Sequence, residues 1–326
     1  GVCQGIVDYW ADEVGAPRVY LPEPPQRLRV VVDSPTQVTV SWVAPLVGPT
    51  KAYGDAATGY RVYRSTHGRG FANPTDTTTT SATFAGLAPG STHYFQVTAT
   101  NAGGESFPTE TLACKMPLDG STPKLLVVNG FDKLDTTMRV QTSYNSGVLY
   151  RQFVDQMNTM DYIVEHGRAI DASGHAVAFD AVEHDVVEGN LVTLGDYAAV
   201  IWIGGLQSEV STADPGDDSA MKTNARTALT NYLNAGGKLF VSAGEVAWDL
   251  NRLGQTTFLN NTLRMAYVAE GAQSAAEGTP GGIFAGVGPL TFGQGSGSPY
   301  RVYFPDTLNT AGGSVSAMVY GSASGA

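Results

Sequence analysis

A serine and a glutamate lie three residues apart at the end of an apolar run, in the stretch Phe240 to Glu245. The Ser242 hydroxyl could act as a nucleophile if one of the histidines folded back to within hydrogen-bonding distance as a base. The same spacing suits a capping box, in which Ser242 caps a helix and Glu245 completes the motif. We favour the cap, and keep Ser242 and Glu245 as candidate catalytic residues.

Four more acidic residues stand at or near the ends of predicted strands: Asp132, Asp180, Glu209 and Asp249. Open α/β sheets bind ligands at the carboxyl ends of their strands, and a carboxylate pair there could perform glycosidase chemistry or hold Ca²⁺. Helix caps and solvated loop residues are the commoner alternative. We predict Asp132, Glu209 and Asp249 as binding residues. Trp248 joins them as a possible cleft residue, with core packing as its alternative.

Three histidines, His166, His175 and His184, are spaced evenly by nine residues. Zinc sites built on one helix need ligand pairs three to five residues apart, and no pair of histidines here has that spacing. We therefore predict no metal site and no cofactor within this sequence.

The elements that must position these residues fall into two kinds. Between residues 26 and 115, apolar and polar residues alternate in short runs separated by Gly, Pro and Asn turns, which predicts a β-sandwich. After residue 123 the runs become continuously apolar, as at 124–129 and 198–204, and a helical pattern at 220–235 precedes the next apolar run at 238–242. This order predicts an α/β region with a parallel, buried sheet.

Proline-rich and turn-rich breaks divide the chain. We predict a terminal helix, a stiff proline-rich linker, the sandwich, a second linker and the α/β domain, with the boundaries 1–16, 17–25, 26–116, 117–123 and 124–326. Both ends read as cuts through a longer polypeptide, although the start could also be a processed mature terminus. We expect the helix to belong to an upstream domain and the last domain to be truncated.

The net charge and the composition limit the kinds of molecule that this protein can be expected to bind. Of 326 residues, 30 are acidic and 19 basic, which gives a formal net charge of −11 that repels phosphate backbones and anionic lipids. No run of 18 apolar residues occurs, so we expect neither nucleic-acid binding nor membrane insertion. Few Lys and Arg with abundant Thr, Ser, Gly and Asn indicate an extracellular location. Cys3 and Cys114 could form one bridge or remain two unpaired hydrophobic residues.

The sandwich resembles fibronectin type III modules. The residues that carry the resemblance are Pro24-Pro25, Trp42, Gly59 to Arg64, Leu87 to Ser91 and Phe95 to Ser106. One departure is that His93 stands where the family usually has its corner tyrosine; the tyrosine hydroxyl is absent, and an imidazole N–H could substitute for it. The neighbouring Tyr94 is then expected to face outward.

The last region resembles class I glutamine-amidotransferase-like, flavodoxin-like domains of large secreted bacterial proteins. The resemblance is carried by Val128 to Asp132, Asp161-Tyr162, His166-Gly167, Tyr197 to Ile203, Tyr232-Leu233, Gly236 to Glu245 and Tyr303 to Asp306. Enzymes of that superfamily carry a cysteine nucleophile on a strand-to-helix turn. The resemblance places that turn at Phe240 to Glu245, which holds no cysteine, and this favours a domain without that activity.

Residues 1–16, with Gly-Val-Cys-Gln-Gly-Ile-Val-Asp-Tyr-Trp, are similar to the last helix of zinc-dependent N-acetylmuramoyl-L-alanine amidases. The resemblance implies a zinc enzyme upstream. We therefore expect a non-catalytic accessory or binding segment of a secreted bacterial cell-envelope protein, the tail of a peptidoglycan-acting hydrolase. Its expected partners are cell-wall glycan or a surface protein. The alternatives are an amidase parent chain, a serine-type hydrolase in the α/β domain, and an adhesive spacer.

Overall fold

The computed structural model describes residues 2–48, 54–119, 124–133, 140–151, 160–208, 219–271, 274–292, 302 and 304–321. The helices are α1 Val2–Val14, α2 Ile163–Ala172, α3 His184–Glu188, α4 Thr223–Asn234 and α5 Val246–Arg252. The strands are β1 Gln26–Ser34, β2 Gln37–Val43, β3 Gly59–Ser65, β4 Ala72–Thr77, β5 Ser81–Ala85, β6 Thr92–Asn101, β7 Gly104–Glu105, β8 Leu112–Lys115, β9 Lys124–Asn129, β10 Val140–Tyr144, β11 Gly147–Arg151, β12 Ala178–Glu183, β13 Ala199–Gly205, β14 Leu239–Ala243, β15 Met265–Glu270, β16 Ala275–Gly278, β17 Leu290–Thr291, β18 Asp306–Thr310 and β19 Met318–Tyr320.

The chain divides into two compact units that are not continuous in sequence. The first unit holds Gly1–Val128, Ile163–Val192 and Asp196–Ala199. The second holds Asn129–Tyr162, Thr193–Gly195 and Val200–Ala326. None of the helices in the described ranges is long and apolar enough to cross a membrane.

The first unit contains the predicted β-sandwich. Strands β1, β2 and β5 pair side by side, and β3 pairs with β4 and β6 while β6 pairs with β7 and β8. The alternating residues of β2 are buried as the pattern predicts, with Val38 and Val40 fully buried and Trp42 only 2% exposed. Alternate burial of this kind is what packs two antiparallel sheets face to face.

Strand β12 of the later sequence joins this sandwich. It pairs antiparallel with β1, through Arg29 with Val182 and Val30 with Ala181, and antiparallel with β8, through Phe179 with Lys115. It thereby covers edges of the sandwich that would otherwise be open for pairing. The sandwich in this unit is therefore built together with residues far along the chain.

The buried carboxylate of Asp180 links β12 to neighbouring segments by hydrogen bonds. Asp180, 1% exposed, accepts hydrogen bonds from the Val32 backbone N–H at 2.9 Å and the Tyr197 hydroxyl at 3.0 Å. The Lys124 ammonium lies 3.4 Å from the same carboxylate and donates to the Val32 carbonyl at 2.6 Å. Burial nevertheless raises the pKa of Asp180 above its ordinary value, although these partners favour the charged form.

At the corner of the sandwich, His93 forms a local hydrogen bond, and the expectation for its neighbour Tyr94 is corrected. His93 is buried, and its Nε2 lies 2.8 Å from the Ser91 hydroxyl oxygen, so the ring does form a local hydrogen bond. The prediction that Tyr94 faces outward is wrong, since it is 2% exposed. Its ring packs near Gly68 and Gly167 of the same unit, because α2 lies over this part of β6.

Helix α1 forms where the apolar spacing predicts it, but it turns its apolar side to solvent. Ile6, Trp10 and Val14 are 54%, 59% and 64% exposed. Its polar side is held by the linker that follows, where Arg18 pairs with Asp8 and Asp12.

In the second unit, β13 and β14 pair in parallel, and helix α4 lies between them in sequence. Strand β15 pairs antiparallel with β18, and β16 with β17 and β19, while β10 and β11 form a hairpin. Helix α5 packs against β15 and β18. The apolar run of β13 is buried as predicted, and Trp202 is 1% exposed.

The buried strand predicted at residues 238–242 is half exposed instead. Phe240 of β14 is 52% exposed, and β13 is the only strand that pairs with β14 in the described ranges. A continuous apolar run does not distinguish an interior strand from an edge strand, which explains the difference.

Candidate functional site

Polar side chains from separate segments of the second unit gather where its parallel strands end. Gln207 and Ser208 follow β13, Glu245 follows β14, and the segment Asn129 to Lys133 runs beside the end of β13, with the Gly130 N–H donating to the Ile203 carbonyl at 2.8 Å. The carboxyl end of parallel strands is where open α/β sheets bind ligands. This carboxyl-end cluster is the candidate site.

Gln207 fixes the segment that carries the lysine. Its Oε1 accepts hydrogen bonds from the backbone N–H groups of Asp132 at 3.2 Å and Lys133 at 3.0 Å. The Lys133 ammonium in turn donates to the Ser208 hydroxyl at 3.0 Å. Gln207 and Ser208 are each 3% exposed, so Lys133 is held against buried polar side chains.

The end of β13 requires a glycine, because the backbone at Gly205 lies close to the Phe131 ring. Gly205 has a positive φ of 49°, and a Cβ built there would lie 2.1 Å from the Phe131 ring. The Gly244 N–H donates to the Gly205 carbonyl at 2.7 Å, which brings the end of β14 against the end of β13. Any side chain at position 205 would push Phe131 out of its place.

Glu245 is the group in this cluster that can exchange a proton near neutral pH. It is half-buried, and its carboxyl makes no hydrogen bond to the described residues. Burial raises its pKa to about 7, the negative charge of Asp306 adds to this, and the Lys133 ammonium acts against it. A carboxyl group with a pKa near 7 can serve near neutral pH as a hydrogen-bond donor or a general acid.

Asp306 supplies the cap that the sequence assigned to Ser242. Helix α5 begins at Val246, with Glu245 at the capping position and no cap from its own side chain. The Asp306 carboxylate accepts from the backbone N–H of Ala247 at 2.8 Å and of Trp248 at 3.1 Å. Burial raises the pKa of Asp306 to about 6, and these two hydrogen bonds oppose the rise.

The predicted capping box is therefore wrong. Strand β14 continues through Ser242 to Ala243, where Ser242 pairs with Ile203. Helix α5 starts too late for Ser242 to reach its first N–H groups, and an acceptor from β18 takes that role.

The remaining predicted site residues are spread around α5. Asp249 is fully buried and accepts from the Ser219 hydroxyl at 3.1 Å and the Ala220 N–H at 2.9 Å, and Arg252 lies 3.2 Å from it. Trp248 is half-buried, with the Arg252 guanidinium 5.1 Å from its ring centroid. Asp132 is exposed, and Glu209 lies outside the described residues.

A histidine base for Ser242 does not belong to this unit. All five histidines of the chain, His67, His93, His166, His175 and His184, fall within the first unit. Ser242 itself is half-buried, and its hydroxyl has no hydrogen-bond partner in the described part of the chain. Within the second unit, the candidate site thus offers Glu245, Asp306 and Lys133 as proton-exchanging and charged groups.

Lys133, Gln207, Ser208 and Asp306 are site residues that sequence reasoning missed. A signal existed for two of them, because Gln207-Ser208 is the first polar pair after the apolar run of β13. No local signal marks Asp306 as a partner of α5, since it lies 59 residues from the N–H of Ala247 that it caps.

The sandwich carries a separate surface feature, an open hollow of about 550 Å³. It is lined by Gly59, Tyr60, Arg61, Asp76, Thr77, Thr78 and Thr100. The Arg61 guanidinium is paired with Glu105 at 2.6 Å and Asp76 at 3.3 Å, so its charge is already balanced.

Residues 23–115 match the family model of the fibronectin type III domain. Among solved structures, the chain is similar to the sixth fibronectin type III domain of human fibronectin type III domain containing protein 3, with 26% identity, a TM-score of 0.27, and 31% of this chain and 91% of that chain covered. It is also similar to titin domains A168–A170, with 24% identity, a TM-score of 0.24, and 28% and 30% covered. The twitchin kinase region of C. elegans shows 25% identity and a TM-score of 0.27, with 31% and 18% covered. The chain thus spans less than a third of the titin and twitchin structures.

Residues 23–115 are a fibronectin type III domain with an all-β sandwich fold, a type of domain that serves as a binding or structural module. A second region of strands and helices follows it.

Proposed function

We propose that this chain is a non-catalytic binding segment of a secreted bacterial cell-envelope protein, and that the carboxyl-end cluster holds a neutral, hydroxyl-bearing ligand such as a cell-wall glycan. The observation that carries the proposal is Glu245, a half-buried carboxyl with no hydrogen-bond partner in the described ranges and a pKa near 7. A polar group in such a place is normally matched by water or a ligand.

The chemistry of the cluster supports a neutral ligand. Lys133 and a protonated Glu245 donate hydrogen bonds, and Ser208 can donate or accept. Asp306 and Glu270 add negative charge around Glu245, which repels an anion. Sugar hydroxyls, which both donate and accept, suit this mixture.

The side-chain amide of Asn129 is a second polar group that favours a bound ligand or water in this region. Asn129, the last residue of β9, is 1% exposed, and neither its side-chain oxygen nor its nitrogen has a hydrogen-bond partner among the described residues. Leaving such an amide unmatched is unfavourable by about 1–3 kcal/mol.

In this proposal the fibronectin type III module, with β12 of the same unit, acts as a spacer and docking surface. Its pairing with β12 and the Asp180 bonds support a rigid spacer and docking surface. The pairing of β13 with β14 across α4 supports a flavodoxin-like fold for the second region, which we include in the proposal.

The experiment is a pull-down of the chain on purified peptidoglycan, with release of muropeptides assayed in the same tube. We expect retention without release, weaker retention for Glu245→Gln, and unchanged retention for Glu277→Gln, an exposed carboxylate of the same unit. Equal retention of both variants would reject the cluster as the binding site. Failure of the unaltered chain to bind would reject the binding function and favour a spacer.

A serine-type hydrolase is the competing proposal. Release of muropeptides by the chain alone, abolished by Ser242→Ala, would replace the binding proposal with it. All five histidines of the chain belong to the first unit.

A further inference from the structure

The short helix α3 of the first unit brings an imidazole and two carboxylates together. His184 Nδ1 lies 2.9 Å from Glu188 Oε1 and 3.7 Å from Asp185 Oδ1. One ligand atom from each of the three residues falls within 4.8 Å of the other two. Residues i and i+4 share a helix face, which explains why His184 and Glu188 meet.

These separations suit a four-coordinate divalent ion. Zinc binds histidine nitrogen and carboxylate oxygen at about 2.0–2.2 Å, so two ligand atoms at a tetrahedral angle stand about 3.4 Å apart. The separations of 2.9 Å and 3.7 Å from His184 Nδ1 lie on either side of that value.

The burial and the negative charge of the side chains on α3 also favour the binding of a divalent cation. His184 is 7% exposed, and the side chain of Glu188 is 11% exposed. The Asp185 side chain is 42% exposed, which leaves solvent access from its side. Two carboxylates held this close offset the charge of a divalent cation, and buried charges in proteins are paired or coordinate metals.

We propose that His184, Asp185 and Glu188 form a site for Zn²⁺ or a similar divalent transition-metal ion, with water in the fourth position. Three protein ligands and an open position are the arrangement of non-structural zinc sites. The imidazole nitrogen argues against Ca²⁺ and Mg²⁺, which take oxygen ligands. This site differs from the three-histidine arrangement considered from sequence, because carboxylates beside His184 take the place of His166 and His175.

The competing explanation is an ion pair between protonated His184 and Glu188, with no metal. Cobalt binding separates the two, since tetrahedral Co²⁺ has visible absorption bands that an ion pair lacks. The full chain, freed of metal with a chelator, is titrated with Co²⁺, and bound Co²⁺ is then displaced with Zn²⁺ or with Ca²⁺.

We expect one Co²⁺ per chain, displaced by Zn²⁺ and not by Ca²⁺. His184→Ala should abolish the absorption, whereas His175→Ala, at an exposed loop histidine, should leave it unchanged. Asp185→Asn, at the most exposed ligand, is the variant least able to disturb folding and should weaken binding by at least about tenfold. Absence of Co²⁺ binding by the unaltered chain, or equal binding by the Asp185→Asn variant, would overturn the proposal.

Discussion

The hydrogen bonds of Asp180 predict that the stability of the fibronectin type III module depends on β12, a strand that lies more than 60 residues after the module. Replacing Asp180 with Ala leaves the Val32 N–H and the Tyr197 hydroxyl without their acceptor. Each buried donor left unmatched is unfavourable by about 1–3 kcal/mol. The Lys124 side chain is 38% exposed and can turn to water, so it adds little.

We therefore expect Asp180→Ala to lower the free energy of unfolding by about 3 kcal/mol. Asp180→Asn keeps one acceptor oxygen and removes the burial penalty that raises the pKa of Asp180, so its effect should be about 1 kcal/mol. Tyr197→Phe removes one hydrogen bond and should also lower the free energy by about 1 kcal/mol.

Urea unfolding measures these free energies of unfolding. The rate at which Cys114 is labelled separately measures how often the fibronectin type III module opens. The Cys114 thiol is fully buried and unpaired in β8, and burial raises its pKa, so it reacts slowly with thiol reagents until β8 opens. In a Cys3→Ser background, Asp180→Ala should speed the labelling of Cys114 in step with the lost stability. An unchanged labelling rate would refute the reasoning, because it would mean that the module opens independently of β12.

Three further predictions concern the second unit. Asp306→Ala should destabilise it by about 1–2 kcal/mol in urea unfolding, because two N–H groups of α5 lose their acceptor, and a change near zero would contradict the cap. Gly205→Ala should destabilise it by at least about 1 kcal/mol through the clash with Phe131, whereas Gly195→Ala, with open space around it, should not; equal effects would reject the close-packing argument. Folding raises the pKa of Glu245 to about 7 and of Asp306 to about 6, above unfolded values of about 4. The stability they contribute is therefore complete below about pH 4 and is lost as the pH rises through 6 and 7. Between pH 5 and pH 8, Glu245→Gln should reduce the loss of stability relative to the unaltered chain, while Glu277→Gln should follow the unaltered chain; a parallel profile for Glu245→Gln would contradict the shifted pKa.

The candidate site was predictable only in part. The sequence named Glu245 through its spacing from Ser242 in the predicted strand-to-helix turn, and whether Glu245 acts in a site stays a prediction. The role given to Ser242 failed because capping depends on where the strand ends, and β14 continues past it. Asp249 also follows the expected pattern, yet it is buried against Ser219 and Ala220, which no local rule indicates.

The sequence by itself determined the elements whose burial follows a local period. The alternation in β2 and the continuous apolar run of β13 are visible in the residues, because the side of a strand that faces a core repeats every two residues or fills both faces. The family resemblance of residues 23–115 likewise needs only the order of the residues.

Only the tertiary structure decided the contacts between distant segments. Asp180 accepts from an N–H 148 residues away, and Asp306 caps a helix whose first residues precede it by nearly 60. A side chain's hydrogen-bond partner depends on which segments meet in space, and local periodicity contains no information about that meeting. The arrangement of β12 against the sandwich, the cap of α5 and the grouping of Lys133, Ser208 and Glu245 therefore appear only when the chain is folded.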